Sequence, residues 1–312
     1  MTAASRYALD DPELPTAFRS PAVTVGVFDG VHRGHQRMLA ALRAWAAEEP
    51  PSDVVAITFA THPRAVLTDA APPLLTPLEH RVRLLHEHGA DGVVVLDFDE
   101  AMANWSPREF VERVFVRMGA SRVLVGENHR FGKDRAGDLG TLQALGEEFG
   151  FEAHEVALLR QDEVVSSTVV RERLAAGDLA AVADLLGRPV TVLGTVVQGD
   201  QRGRTLGFPT ANLDLNHAAR PGSGVYAARA RTDDGPWLPA VVNIGRRPTF
   251  HPEADVDLVE VHLLEGGRDL YGQALEVWFV AKLRDERRFD GPQALKAQID
   301  ADIAQARERL QD

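Results

Sequence analysis

The sequence predicts two domains in one chain: an α/β domain with a doubly wound parallel sheet, then a mainly β domain closed by a helix. Three observations carry this. Short β-rich runs alternate with helical periodicity as far as Leu186, β-runs without helical intervals follow Gly187, and a helical stripe returns at Pro292. The length of 312 residues agrees, since one domain typically takes ~100–200 residues. The joint is placed at Gly187, giving domains over residues 1–186 and 187–312.

In the first domain the expected strands are Val23 to Val27, Val54 to Phe59, Gly92 to Leu96, Arg122 to Gly126 and Ala153 to Leu158. Leu78, Val82 and Leu85 repeat at helical spacing, and Gly89 offers a left-handed stop. Ser106, Pro107 and Glu109 form a capping-box start for a helix whose apolar stripe is Phe110, Val114 and Met118. Strands separated by such helices imply crossovers and a parallel sheet covered on both faces.

In the second domain the β-runs are Val190 to Val197, Gly224 to Ala230, Leu238 to Ile244, Val256 to Leu264 and Leu275 to Ala281. Gly, Pro, Asp and Asn clusters divide them, the signature of an antiparallel barrel or sandwich. Leu295, Ile299, Ile303, Ala306 and Leu310 then fall at helical spacing, so one closing helix is expected to pack on the β structure. No internal repeat or low-complexity tract interrupts the chain.

The net charge of −12 argues against nucleic-acid binding, because affinity for a phosphate backbone comes from clustered Lys and Arg. Any anionic substrate must be held locally. With no Cys, thiolate metal sites, disulfides and Cys nucleophiles are excluded, and a cytoplasmic setting is expected. The first twenty residues lack the apolar core of a secretory signal, and no run approaches the ~20 apolar residues of a membrane span. Oligomeric state is not readable from the sequence.

The first chemical motif is GVFDGVHRGH, from Gly26 to His35, between the first strand and first helix. Glycines there let the backbone approach a phosphate, and the helix start offers free N–H groups and a positive dipole. His32 and His35 share one face of that start, so two imidazoles can stabilise charge developing on a triphosphate.

Two familiar nucleotide motifs fail. Gly126 to Lys133 has the wrong glycine spacing and Asp134 after the Lys, and Gly222 with Gly224 lacks a third glycine. His86 and His88 point apart on their helix and read as surface histidines. GENHRFG, from Gly126 to Gly132, and VSSTVVR, from Val165 to Arg171, fall at strand ends where open α/β sheets collect ligands. One hydroxyl among Ser166, Ser167 and Thr168 reads equally as an N-cap, while three hydroxyls before Arg171 also suit a phosphate.

GVFDGVHRGH, Phe59 with His62 and Pro63, LLTPLEHR ending at Arg81, GEN followed by RFG, and SSTVVRERL resemble the adenylyltransferase module of prokaryotic bifunctional riboflavin kinase/FAD synthetases. The resemblance spans most of residues 20–186 and implies a Rossmann-like nucleotidylyltransferase domain. It places ATP and phosphate contacts on Gly26, Phe28, Asp29, Gly30, His32, Gly34 and His35, with Asn128, Ser167, Thr168 and Arg171 holding nucleotide and flavin phosphate. His129 stands where that family usually has Phe, and Thr61 where Pro is common.

The second motif is GTVVQGDQRGRTLGFPTANL, from Gly194 to Leu213. Gly199, Gly203 and Gly207 make a tightly turned loop, Arg202 and Arg204 bring cations, and Thr210 and Asn212 offer oxygen ligands that suit Mg²⁺. A glycine-rich hairpin with two solvated arginines is the plainer reading of RGxG alone. The longer string, AVVNIG with Asn243, RPTF ending at Phe250, VEVHLLEGGRDLYG and KLRDERRF ending at Phe289 resemble the riboflavin kinase module of the same enzymes.

That resemblance implies a six-stranded-type antiparallel barrel with a closing helix, with Pro209, Asn243 and Phe289 among the ATP and flavin contacts. Glu260 lies on the polar face of its alternation and reads alone as a surface carboxylate; the resemblance makes it the general base. Val261 follows it where the family usually has Thr or Ser. The whole implies an enzyme that makes FMN from riboflavin and ATP, then FAD from FMN and ATP. The alternatives are a chain with one activity only, or a non-catalytic flavin or nucleotide sensor.

Overall fold

The computed structural model describes residues 6–48, 50–68, 71–157, 159, 164–199, 207–216, 218–232, 235–246, 257–265 and 269–311. The chain divides into two compact units, Met1–Ser167 and Thr168–Asp312. This division lies earlier than the Gly187 joint, and it groups nearly all of two helices, α5 (Ser167–Ala175) and α6 (Leu179–Leu186), with the second unit.

The first unit is built on six parallel strands: β1 (Arg6–Ala8), β2 (Ala22–Val25), β3 (Val54–Phe59), β4 (Gly92–Leu96), β5 (Arg122–Gly126) and β6 (Glu152–Val156). Their order is β1-β4-β3-β2-β5-β6. Every residue of β3 and β4 is buried, as continuous apolar runs require in a sheet covered on both faces. Alternation divides them. Val55, Ile57, Val94 and Leu96 pack with Phe110, Val114 and Phe115 on one face, while Ala56, Val93 and Val95 pack with Leu39, Val82 and Leu85 on the other. The direction of strand addition reverses between β2 and β5, so the crevice where such sheets bind ligands opens at their carboxyl ends.

Among the helices of this unit are α1 (Arg33–Ala46), α2 (Leu78–Glu87), α3 (Pro107–Phe110), which continues as a π-helical segment (Val111–Val116), and α4 (Leu139–Phe149). The expected capping box closes α3: Ser106 Oγ accepts from Glu109 N–H at 3.2 Å, and Glu109 Oε2 accepts from Ser106 N–H at 2.8 Å. Helix α2 stops before Gly89, whose φ is +102°. Strand β1 was not expected, since three residues show no period.

The second unit is a closed antiparallel barrel, which decides between barrel and sandwich. Its strands are β7 (Val190–Val197), β8 (Ala211–Asp214), β9 (Gly224–Arg231), β10 (Leu238–Arg246), β11 (Asp257–Leu263) and β12 (Ala274–Arg284), in the order β10-β11-β8-β7-β12-β9. Strand β8 lies inside the GFPTANL string and supplies the sixth strand. One face of the alternation, with Val192, Leu213, Tyr226, Val242, Val259 and Phe279, is buried. On the opposite face of β9 and β10, Val225, Ala227 and Val241 pack against Ala306 and Leu310 of the closing helix α7 (Pro292–Arg309).

Helix α7 is also pinned by charge. Arg284 grips Asp302, Nε to Oδ1 at 2.9 Å and Nη2 to Oδ2 at 2.7 Å, with Asp302 only 3% exposed. Removing one partner of a buried pair strands the other charge. Asp302→Ala is therefore expected to destabilise the barrel unit by ~3–5 kcal/mol, measured by denaturant unfolding, and an unchanged midpoint would show that the pair does not hold the helix.

Candidate functional site

Between β2 and α1 the chain makes an unusual turn. Phe28, Gly30 and Val31 all take positive φ, at 51°, 82° and 40°. That region is routine for Gly but strained for a β-branched residue, at a cost of order 1–3 kcal/mol. The surroundings hold it. The Asp29 carboxylate, on a residue 2% exposed, accepts from Leu75 N–H at 2.8 Å and Thr76 N–H at 3.0 Å, and Gly30 N–H donates to Thr76 Oγ1 at 3.1 Å. Asp29 is thus turned toward the protein's own backbone, and it fixes the loop that carries the other motif residues.

His32 caps α1 without a side-chain cap bond, and no acidic residue occupies the first turn. The helix start therefore keeps the positive end that attracts an anion. His32 and His35 stack at 3.7 Å between ring centres, and Phe28 meets His35 edge-on at 5.1 Å. A Cβ on Gly34 would stand 3.1 Å from the His32 ring, and one on Gly26 3.3 Å from the Phe28 ring, so both positions are tight for any larger residue. Burial first, then His32 and Arg81 as neighbouring cationic groups, pushes the His35 imidazole well below its ordinary range. It is neutral at physiological pH.

β5 lies beside β2, pairing Leu124 with Thr24, and the turn after it carries Asn128 in the left-handed region at φ 65°. His129 stacks on Phe131 at 5.9 Å, and burial, followed by Arg135 and Arg130, lowers its pKa to about 4. Ser167 Oγ donates to the Asp29 carbonyl at 2.8 Å, tying the start of α5 to the phosphate-type loop. Thr168, exposed, and Arg171, half-buried, follow on α5 and belong to the second unit.

The sequence reasoning gave no role to Thr76 or Arg81. Both lie in LLTPLEHR, and the available signal was a charged residue on the apolar side of α2, next to Leu78, Val82 and Leu85. His86 was read as a surface residue; its Nδ1 instead meets the Ala90 carbonyl at 2.8 Å in a half-buried position.

In the barrel unit, register assembles the site. Asn243 on β10 stands opposite Glu260 on β11, and Glu260 opposite Asn212 on β8. All three lie on the face opposite buried Val259 and Val261, and Asn243 Nδ2 donates to Glu260 Oε2 at 3.4 Å. Asn212 is 7% exposed and its Oδ1 is buried without a hydrogen-bond partner. Gly199 lies against the Asn212 amide, where a Cβ would overlap it. Thr210, half-buried, is two residues before Asn212 on the same side of the strand start.

His262 Nδ1 holds the Pro209 carbonyl at 2.8 Å and packs edge-on against Phe208 at 5.8 Å, a contact the sequence reasoning did not assign. Gly207 is exposed at φ 90°. Phe289 is half-buried beneath two guanidinium groups, Arg284 at 5.6 Å and Arg287 at 5.1 Å. Arg202, Gly203, Arg204 and Phe250 lie outside the described residues. No cluster of three or more His, Asp or Glu able to hold a metal occurs among the described residues.

A parallel sheet with a histidine-bearing loop at its carboxyl end, joined to a barrel with an Asn-Glu-Asn row, defines a two-module chain with a separate polar site in each module. Comparison with known proteins agrees with that division: the FAD synthetase family model matches residues 15–169 and the riboflavin kinase family model residues 186–310. Relatives described as bifunctional riboflavin kinase/FMN adenylyltransferases include one from Pseudomonas fluorescens, 41% identical over 93% of this chain and 93% of that protein. Another, from Escherichia coli (strain K12), is 40% identical over 92% and 91%, and one from Bacillus subtilis (strain 168) is 34% identical over 91% and 90%. The chain belongs to the bifunctional riboflavin kinase/FMN adenylyltransferase family.

A crystal structure described as a macrolide-efflux protein from Streptococcus pneumoniae is similar in fold, with TM-score 0.82 and 27% identity over 97% of this chain and 98% of that one. Among the described residues of the present chain, no helix is long and apolar enough to cross a membrane.

Two half-buried imidazoles make the first unit sensitive to acid. In the unfolded chain a histidine takes up a proton near pH 6.5, whereas folded His129 does so only at about 4 and His35 well below 6.5. Stability is complete above the unfolded value and is lost as pH falls through that window. The melting temperature of the first unit should drop between pH 6.5 and 4, with a smaller drop in His129→Phe; equal drops would contradict the assignment of His129.

Proposed function

We propose that the two sites work in succession, the barrel unit as the riboflavin kinase and the sheet unit as the FMN adenylyltransferase. The observation that carries this reading is that each unit holds its own arrangement suited to phosphate chemistry: a row of Asn243, Glu260 and Asn212 in one, and stacked His32 and His35 at a helix start in the other. The chain phosphorylates riboflavin to FMN with ATP and adenylylates FMN to FAD with release of pyrophosphate.

In the kinase reaction Glu260 accepts the proton of the ribityl hydroxyl as its oxygen attacks the γ-phosphorus, and ADP leaves. Asn243, hydrogen-bonded to Glu260 Oε2, orients that carboxylate. The loop with Gly199, Gly203 and Gly207 brings backbone near the phosphates, Arg202 and Arg204 supply cations, and Pro209, fixed by His262, shapes the loop end. Phe289, stiffened by its two arginines, offers a face to the flavin ring.

A Mg²⁺ ion fits Thr210 and Asn212. The buried Asn212 Oδ1 lacks a hydrogen-bond partner, and hydroxyl and amide oxygens are the hard donors this ion prefers. Bound there, it would take its remaining ligands from ATP phosphates and water. When bound, it offsets phosphate charge; the protein's own groups do the positioning, the larger part of catalysis in phosphoryl transfer.

In the second reaction the FMN phosphate attacks the α-phosphorus of ATP. A phosphomonoester loses its second proton near pH 6, so no strong base is required. Neutral His35 donates an N–H bond to the developing charge, with the stacked His32 imidazole beside it and the positive end of α1 behind both. Gly26, Phe28, Asp29, Gly30 and Gly34 shape the loop, and Ser167 and Asn128 hold nucleotide and flavin phosphate.

Single-site variants separate the two assignments. Glu260→Gln should reduce FMN formation ~10²–10⁴-fold, the usual value of a general base, while FAD synthesis from supplied FMN persists. His32→Ala with His35→Ala should spare FMN formation and cut FAD formation at least ~10²-fold. Chromatographic rates decide: near wild-type FMN formation by Glu260→Gln overturns the base, and undiminished FAD formation by the histidine variant overturns the phosphate site.

A further inference from the structure

Helix α2 carries one cation into the core. Arg81 has no exposed surface. Burying a guanidinium is costly unless its donors are satisfied, and the hydrogen bonds of Arg81 show what it holds. Nη1 donates to the Val27 carbonyl at 2.8 Å and Nη2 to the Phe59 carbonyl at 2.6 Å.

Those carbonyls stand at the carboxyl ends of β2 and β3, which are adjacent parallel strands. Val27 immediately precedes the strained stretch with Phe28 at φ 51° and Val31 at φ 40°. Its carbonyl takes a second bond from Thr58 Oγ1 at 3.0 Å, so the entrance to the loop is held from two sides. Asp29 holds the loop's middle through Leu75 and Thr76. The planar fork of Arg reaches two carbonyls at once, which the single ammonium of Lys cannot reproduce.

We propose that Arg81 is a positioning residue for adenylyl transfer: it clamps the ends of β2 and β3, and so holds the Gly26 to His32 loop and the His32–His35 pair where the α-phosphorus reacts. This rests on the reading of that pair as the phosphate-contacting group. Arg81 touches no substrate. Its fixed positive charge also faces His35, together with His32, and opposes protonation there, so the imidazole stays a neutral donor.

The test uses the full chain with Arg81→Lys and Arg81→Met, measuring kcat and KM for FAD formation from FMN and ATP, with FMN formation and melting temperature in the same samples. Misplacing reacting groups by about 1 Å costs on the order of 10²-fold. The expected result is that kcat for FAD formation falls at least about tenfold in Arg81→Lys and further in Arg81→Met, with KM for ATP within about threefold and FMN formation unchanged. A purely structural residue would lower the melting temperature and leave kcat of the remaining folded enzyme intact. If Arg81→Met does not fold, Arg81→Lys decides alone: wild-type kcat overturns the proposal, and a reduced kcat with normal FMN formation sustains it. The His32→Ala, His35→Ala variant is run beside them. If it keeps full FAD formation, the reading of the pair fails; if it loses activity while both Arg81 variants keep theirs, only the clamp fails.

Discussion

The loop that carries the first unit's candidate site depends on one buried carboxylate, Asp29. A loop with Phe28, Gly30 and Val31 in the left-handed region is unfavourable by itself, and Asp29, fed by the N–H groups of Leu75 and Thr76, keeps it in place. Ser167 grips the Asp29 carbonyl and Arg81 the Val27 carbonyl, so the loop is tied to three separate segments. The result is a fixed helix start carrying the stacked His32 and His35, with His35 held neutral. This is how a chain of net charge −12 can hold anions: fixed dipoles and N–H donors act over a few ångströms, where long-range repulsion from an acidic surface is screened at physiological salt.

The barrel reaches a similar end by register. Antiparallel pairing sets Asn243, Glu260 and Asn212 side by side without an irregular loop, because residues directly opposite in such a ladder project from the same face. A one-residue slip of β11 would send Glu260 into the buried face and Val259 or Val261 out of it, so the same apolar alternation that closes the barrel also orients the carboxylate. The Arg284–Asp302 pair then holds α7 against the barrel and brings the arginines to Phe289.

Much of this was legible in the sequence. β3, β4 and β5 are apolar runs between clear helix signals, and the Ser106–Glu109 box marks its helix start in the sequence itself. The motif glycines and histidines of the first loop were legible because phosphate-binding turns demand that residue spacing. Other features left no local signature. β1 spans only Arg6–Ala8, too short for a period, and β8 is hidden among Gly, Pro and Thr, where turn signals mask a strand made by its neighbours. The backbone partners of Asp29, Leu75 and Thr76, are distant in sequence and leave no local signal. Arg81 was passed over for the same reason: nothing in α2 reveals that Val27 and Phe59 end within its reach.

The central claim is that one chain carries two complete and successive activities. The direct measurement is a time course of the purified wild-type protein with riboflavin, ATP and Mg²⁺, resolving riboflavin, FMN and FAD by chromatography. The account predicts that riboflavin declines, FMN rises first and FAD accumulates at its expense with pyrophosphate release. A course that stops at FMN, or one in which FAD fails to form from supplied FMN, would contradict it.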